Sequence, residues 1–189
     1  VRVDFLPKPR IERLATDVYA AALESGMSPD PPVDVEFIVE FVLGYDLHQG
    51  ASLPPGVLGS TDGEAKVVYI ADAIPNEGRQ RFTVAHEIGH IKMHVTTLVA
   101  WVKQPTLFDR PQGPHQDDRM EWQANYFASA LLMPRQLLVQ HFGEAARSGQ
   151  AIDPTDVADL FDVSRQAASI RLEELSMTHL ASPGVPLIE

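Results

Sequence analysis

The sequence predicts an α+β chain in which helices surround a small mixed sheet, with a pair of short helices forming a helix-turn-helix-like lobe towards the C-terminus. Three observations carry this. Apolar residues recur at helical spacing over most of the chain. Residues 45–70 alone carry strand and hairpin signals. Two closely joined helical runs then follow at 154–161 and 164–176. With 189 residues, 44% of them hydrophobic, the chain can bury one good core with a smaller appended lobe. The expected division is 1–145, 146–180 and a tail, 181–189, whose Pro183, Gly184 and Pro186 favour poor order. No internal repeat or low-complexity block interrupts it.

Each element has its own signal. Ile11, Leu14, Ala15, Val18, Ala21 and Ala22 place one apolar stripe on a helix over 10–25, with Gly26 as its stop. Pro31 and Pro32 precede a second helix at 34–43, capped by Asp34 and ended by Gly44. Tyr45–Gln49 reads as a short strand. Val57–Gly59 and Ala65–Ile70 flank Ser60-Thr61-Asp62-Gly63, which reads as a hairpin turn. A helix follows at about 78–94. Residues 96–116, with Pro105, Pro111, Gly113 and Pro114, read as a long loop. Helices at about 117–132, 134–142, 154–161 and 164–176 complete the chain.

Composition excludes several classes. The absence of cysteine removes disulfides and thiolate metal sites and fits a reducing, cytoplasmic setting. No apolar run approaches the ~20 residues of a membrane span, and the charged N-terminal residues do not form a signal peptide. The chain starts at Val1 without an initiator Met, so the numbering is expected to begin inside a longer gene product.

His86-Glu87-Ile88-Gly89-His90 is an H-E-x-x-H pattern inside the 78–94 helix. Histidines four apart lie on one helical face, so both imidazoles can bind one ion. Glu87 beside the first of them can reach a water on that ion and take its proton. Phe82, Val84, Ala85, Ile88, Ile91 and Met93 make this a buried helix, and Gly89 offers the small profile needed where another element crosses it. A catalytic zinc needs a third protein ligand. Without cysteine it must be His, Asp or Glu, and the best candidate is Glu121, in the helix over 117–132. Ala124 and Ala128 share its face and would let the two helices approach closely. Asp117 and Asp118 read as charges suited to a helix N-terminus. His86 and His94 are roughly 12 Å apart along the helix axis, so His94 reads as a supporting or packing residue. His48, His141 and His179 read as ordinary polar residues, and His115 keeps a minor candidacy for substrate contact.

Three blocks carry a resemblance: Arg81–His90, then Glu121-x-x-Ala124-Asn125-x-Phe127-Ala128-x-x-Leu131-Leu132-Met133-Pro134, then Phe161-x-Val163-Ser164-x-x-Ala167-x-x-x-Arg171-Leu172. In this order they resemble the ImmA/IrrE family of bacterial zinc metallo-endopeptidases. The resemblance implies that His86, His90 and Glu121 bind zinc, with Mn²⁺ or another divalent ion as the alternative, and that Glu87 is the general base. It also implies a protein substrate of the helix-turn-helix repressor class, whose cleavage induces stress-response or mobile-element genes. Some relatives carry a C-terminal sensor domain, which is not expected in a sequence ending at Glu189.

The fold expected from these signals is a minimal zincin-like lobe, a small mixed sheet beside the H-E-x-x-H helix. An extended substrate would pair with an edge strand of the 57–71 hairpin, and Tyr126, His115 and Tyr69 are the candidate donors to the tetrahedral oxygen. The 156–172 pair has the rhythm of a DNA-binding helix-turn-helix. Residues 151–180, however, set six acidic side chains against Arg165 and Arg171, a balance of −4, in a chain of net charge −11. Duplex binding depends on neutralising phosphates, so no direct DNA binding is expected. A basic repressor would suit this surface better. Two other readings stay open: a non-catalytic zinc module that sequesters a repressor or toxin partner, and a zinc amidase acting on small molecules.

Overall fold

The computed structural model describes residues 5–72, 74, 76–102 and 114–177, with the backbone alone described for 95–102 and 114–118. The elements are α1 (Lys8–Glu24), α2 (Val35–Phe37, continuing into a π-helical turn, Ile38–Val42), β1 (Asp46–Ala51), β2 (Gly59–Asp62), β3 (Val67–Ala71), α3 (Glu77–Val102), α4 (Pro114–Leu132), α5 (Arg135–Arg147), α6 (Pro154–Phe161) and α7 (Arg165–Glu174). The fold is α+β, as the sequence predicts.

The apolar stripe of α1 buries Ile11, Ala15, Val18 and Ala22 together with Tyr19. The helix stops where Gly26 takes a φ of +99° and the Met27 amide turns back to the Ala22 carbonyl at 3.0 Å, a glycine C-terminal cap. Asp34 starts α2 by accepting the Phe37 amide at 2.9 Å. The three strands form a mixed sheet with β3 in the centre, parallel to β1 and antiparallel to β2. Val68 and Ile70 point from β3 into the core. Pairing of Thr61 with Val68 and Gly59 with Ile70 puts Gly59 and Thr61 on that same inner face.

Three expectations need correction. Ser60, Thr61 and Asp62 are strand residues, and the turn lies at 63–66. The Asp62 carboxylate accepts the amides of Glu64 and Ala65 at 2.9 and 2.8 Å, so the reversal starts at Asp62 rather than at Ser60. The expected loop at 96–116 is shortened from both ends. The run after His94 contains no helix breaker and α3 continues to Val102, while Pro114 is the first residue of α4, where its missing N–H costs nothing. Residues 103–113 lie outside the described residues, as do His179 and the 181–189 tail. Finally, α5 runs past the expected end at 142 to Arg147, with Gly143 and Ala146 buried in its added turn.

Val157, Phe161, Ala168 and Leu172 of α6 and α7 belong to the same hydrophobic cluster as the residues of α1 and α4. Between the two helices Asp162 adopts a left-handed conformation, and Ser164 caps α7 by accepting the Ala167 amide. Arg171 is completely buried. Its Nη1 and Nη2 donate to Glu12 on α1 at 2.9 and 2.6 Å, and its Nε donates to the Met133 carbonyl at 3.1 Å. This two-point ion pair ties α7 to α1 and to the end of α4. Among the described residues no helix is long and apolar enough to cross a membrane.

Removing one partner of a buried pair strands the other charge. Glu12→Ala should therefore lower the unfolding free energy by about 3 kcal/mol or more, measured as a shift of the urea midpoint. Glu12→Asp, which keeps the charge, should lose less.

Candidate metal centre

α3 and α4 meet where both are narrow. A Cβ on Gly89 would stand 3.1 Å from Ala124 Cα and 3.3 Å from its carbonyl oxygen, which is why both positions hold small residues. Below this crossing, the two histidines of α3 face the carboxylate of α4. The Nε2 atoms of His86 and His90 lie 2.9 Å apart. Glu121 places its two oxygens 3.2 Å from His86 Nε2 and 3.5 Å from His90 Nε2. The sequence-predicted triad His86, His90 and Glu121 is thus brought together, with ligand atoms all within 4.8 Å of one another.

The other ring nitrogens are already committed. His86 Nδ1 meets Asn125 Oδ1 at 2.9 Å, an atom that only accepts, so this nitrogen carries the proton. His90 Nδ1 meets His94 Nδ1 at 3.1 Å, and His94 Nε2 meets Gln123 Oε1 at 2.9 Å. His94 must then donate to Gln123 from Nε2 and accept from His90 at Nδ1. Burial, the largest influence, lowers the pKa of His94 to about 4, which keeps the ring neutral as this relay requires. Both Nε2 lone pairs therefore point at one spot. Two lone pairs at that distance repel unless a cation lies between them, and protonated Nδ1 with bare Nε2 is the pattern of metal-bound histidine.

Charge agrees with geometry. A proton on Nε2 is the cluster's alternative to a cation: burial disfavours it on His86, but the hydrogen bond it would make to Glu121 and the charges of Glu87 and Glu121 outweigh burial and raise the pKa. The same contacts with His86 and His90, once protonated, hold the Glu121 carboxyl well below the usual carboxylate range. The cluster is a seat for positive charge. Two nitrogens and one carboxylate oxygen suit a divalent ion such as Zn²⁺, and three protein ligands leave a fourth tetrahedral position open.

Glu87 is buried and is held by the sheet. Thr61 Oγ1 donates to Glu87 Oε2 at 2.6 Å, and a Cβ on Gly59 would come within 2.6 Å of Glu87 Oε1. Gly59 and Thr61 thus form a fitted seat for this carboxylate. Sequence reasoning misses both, because nothing local links β2 to a residue 26 positions later. Asn125 could have been found, since it lies four residues after Glu121 and so on the same face of α4.

Two candidate donors fall elsewhere. Tyr69 pairs with Ser60 and His48 across the sheet and its ring packs on His48 at 5.6 Å, on the face opposite Thr61 and Glu87. Strand alternation puts it there. Tyr126 is five residues from Glu121, about 140° round α4, and its hydroxyl turns to Glu12 at 3.4 Å. Burial and the neighbouring Glu12 charge push its pKa up to about 12. The side chain of His115 lies outside the described residues.

Fold and site define a small α+β domain whose crossing helices hold a His/His/Glu cluster able to bind a divalent metal. A profile of the IrrE N-terminal-like domain matches residues 49–173, and the chain belongs to that family. It is 30% identical over 185 residues to the radiation response metalloprotease IrrE of Deinococcus radiodurans, covering 95% of this chain and 51% of that protein. It is 32% identical over 117 residues to the protein of the same name from Deinococcus deserti, covering 61% of this chain and 39% of the relative. The chain thus spans about half the length, or less, of these curated relatives. Its fold also resembles that of a Mycobacterium tuberculosis transcriptional regulator, with a TM-score of 0.62 at 19% identity over 92% of this chain and 59% of the other.

The relay through His94 predicts a graded effect on metal binding. His94→Ala should still bind one metal ion per chain but about 10- to 100-fold more weakly, by competition with a chromophoric chelator. Unchanged affinity would mean that His94 only fills space.

Proposed function

We propose that this chain is a zinc-dependent endopeptidase of minimal zincin architecture that cuts a basic helix-turn-helix repressor. The observation that carries the reading is the convergence of the His86 and His90 Nε2 lone pairs on Glu121 beside a buried carboxylate, Glu87, which lies next to His86 in the chain. A structural metal site has no need of such a base. His86, His90 and Glu121 hold the ion. When bound, zinc supplies Lewis-acid polarisation of the peptide carbonyl and acidifies the attacking water. Glu87 takes the proton of that water as the new C–O bond forms, then delivers it to the leaving nitrogen as the C–N bond breaks. Thr61 keeps its carboxylate aimed while the proton moves. β2 ends the sheet, and no strand pairs with its outer edge among the described residues, so an extended substrate can add there as a further strand.

The repressor is proposed on the family relationship and on charge. Both curated relatives are named as radiation response metalloproteases, and a net charge of −11 favours encounter with a basic partner. Such steering should fade as salt rises.

The test uses metal-loaded chain and a basic helix-turn-helix repressor. Glu87→Gln should retain one metal ion per chain and lose cleavage by at least about 10²-fold, whereas His86→Ala, His90→Ala and Glu121→Ala should lose the metal as well. Near wild-type cleavage by Glu87→Gln would sink the mechanism. Tight binding of the repressor by metal-loaded wild-type chain, with no cutting, would make the chain a sequestering module instead.

A further inference from the structure

The Glu87 carboxylate is enclosed on three sides, and its two oxygens meet different surfaces. Thr61 Oγ1 donates to Oε2 at 2.6 Å, a length typical of a hydroxyl given to a charged carboxylate. Oε1 lies over Gly59, where a Cβ would stand 2.6 Å from this oxygen and 3.1 Å from the carboxyl carbon. Thr83 stands one turn before Glu87 on the same face of α3 and closes the third side. Its hydroxyl donates to the Arg79 carbonyl at 2.9 Å, and its methyl would be 2.8 Å from the Cβ of a side chain at 59.

Burial alone does not account for this arrangement. A buried carboxylate needs a hydrogen-bond partner simply for the chain to fold, and Thr61 meets that need. Burial asks nothing of position 59. Glycine is a poor strand residue and often marks a close approach. Gly59 pairs with Ile70 in the sheet, and its backbone has no positive φ that would require glycine. What glycine provides here is room beside one oxygen of a carboxylate next to His86 in the chain. Thr61 is the one side-chain donor to Glu87 among the described residues, and it engages Oε2 alone.

We propose that Gly59 and Thr61 are positioning residues that divide the Glu87 carboxylate between two tasks. Oε2 is the anchored oxygen, and Oε1 is the one that takes the proton of the attacking water and returns it to the leaving nitrogen. The carbonyl oxygen of a carboxylic acid accepts a hydrogen bond as a carboxylate oxygen does. Thr61 therefore keeps its hold on Oε2 whether or not Oε1 carries the proton. Oε1 can be reached because no side chain stands at 59. The proposal rests on the peptidase reading and deepens it, since it assigns the work of each oxygen and adds Gly59 to the residues that aim the base.

The probe is acetohydroxamic acid, which binds a metal ion through its two oxygens and passes its hydroxyl proton to a neighbouring base. Its affinity for the zinc-loaded full chain is measured by calorimetry. Thr61→Val, close in shape and suited to a strand, should weaken it about tenfold, and Thr61→Ser, which keeps the hydroxyl, should restore most of the loss. Gly59→Ala should weaken it to a similar degree, because the free end of the Glu87 side chain must leave its place. All three should retain one metal ion per chain. In a Glu87→Gln background neither Thr61→Val nor Gly59→Ala should weaken the probe further, since residues that act through Glu87 have nothing left to aim. Unchanged binding in Thr61→Val or Gly59→Ala, equal losses with and without Glu87, or no saturable binding by the wild-type chain would overturn the proposal. Cleavage of the repressor separates it from the reading beneath it. The expected hydroxamate pattern with no cutting by the wild-type chain overturns the peptidase and supports the seat. Cutting with kcat about tenfold lower in Thr61→Val at unchanged KM supports both, and cutting with unchanged kcat in both variants supports the peptidase and overturns the seat.

Discussion

The contact of Gly89 with Ala124 sets the distance between the two halves of the His/His/Glu cluster. The histidines stand on α3, while Glu121, Gln123 and Asn125 stand on α4, and only a crossing without bulky side chains brings the two sets within bonding range. Phe127 closes the same contact, with its ring edge 3.3 Å from where a Gly89 Cβ would stand. Because these helices are packed into the main core, the ligand cluster inherits the rigidity of the fold and does not depend on loops. Preorganisation of this kind is what a site on helices can offer.

The polar atoms around the cluster are divided so that each has one task. Asn125 and His94 take the Nδ1 protons, leaving both Nε2 atoms directed at Glu121. Gln123 completes the relay behind His94. The neutrality of His94 follows from its burial; a protonated ring there would have to point a donor at the donor of His90. On the sheet side, the seat made by Gly59 and Thr61 works only because β2 is antiparallel to β3 in a register that turns both residues inward. Slipping that strand by one residue would offer Ser60 and Asp62 to Glu87 instead, and a second carboxylate would meet the first.

The C-terminal helices show how a sequence rhythm can be used for another purpose. Their spacing is that of a helix-turn-helix, yet the arginine at the middle of α7 is spent on Glu12 and Met133 inside the protein. A guanidinium removed from water needs its donors matched, and a carboxylate in two-point contact with a carbonyl alongside achieves this. The pair thereby fixes α7 against α1, and the exposed side of α7 lines a groove together with residues of α4 and the start of α3.

What the sequence determined by itself was everything carried by short spacing along one element. Histidines four apart, small residues at steps of three and four from Glu121, and the caps at Asp34 and Gly26 are consequences of helix geometry and could be read from order alone. The third member of the cluster was legible for a related reason: without cysteine, few residue types could serve, and Glu121 stood on a helix shaped for close approach. Tertiary structure decided the rest. The face of β3 on which Tyr69 lies, the side of α4 from which Tyr126 leaves, the attachment of Glu87 to Thr61 and the burial of Arg171 all depend on contacts between residues distant in sequence. No local propensity encodes them, because their energy exists only once the helices and the sheet have packed and water has been excluded between them.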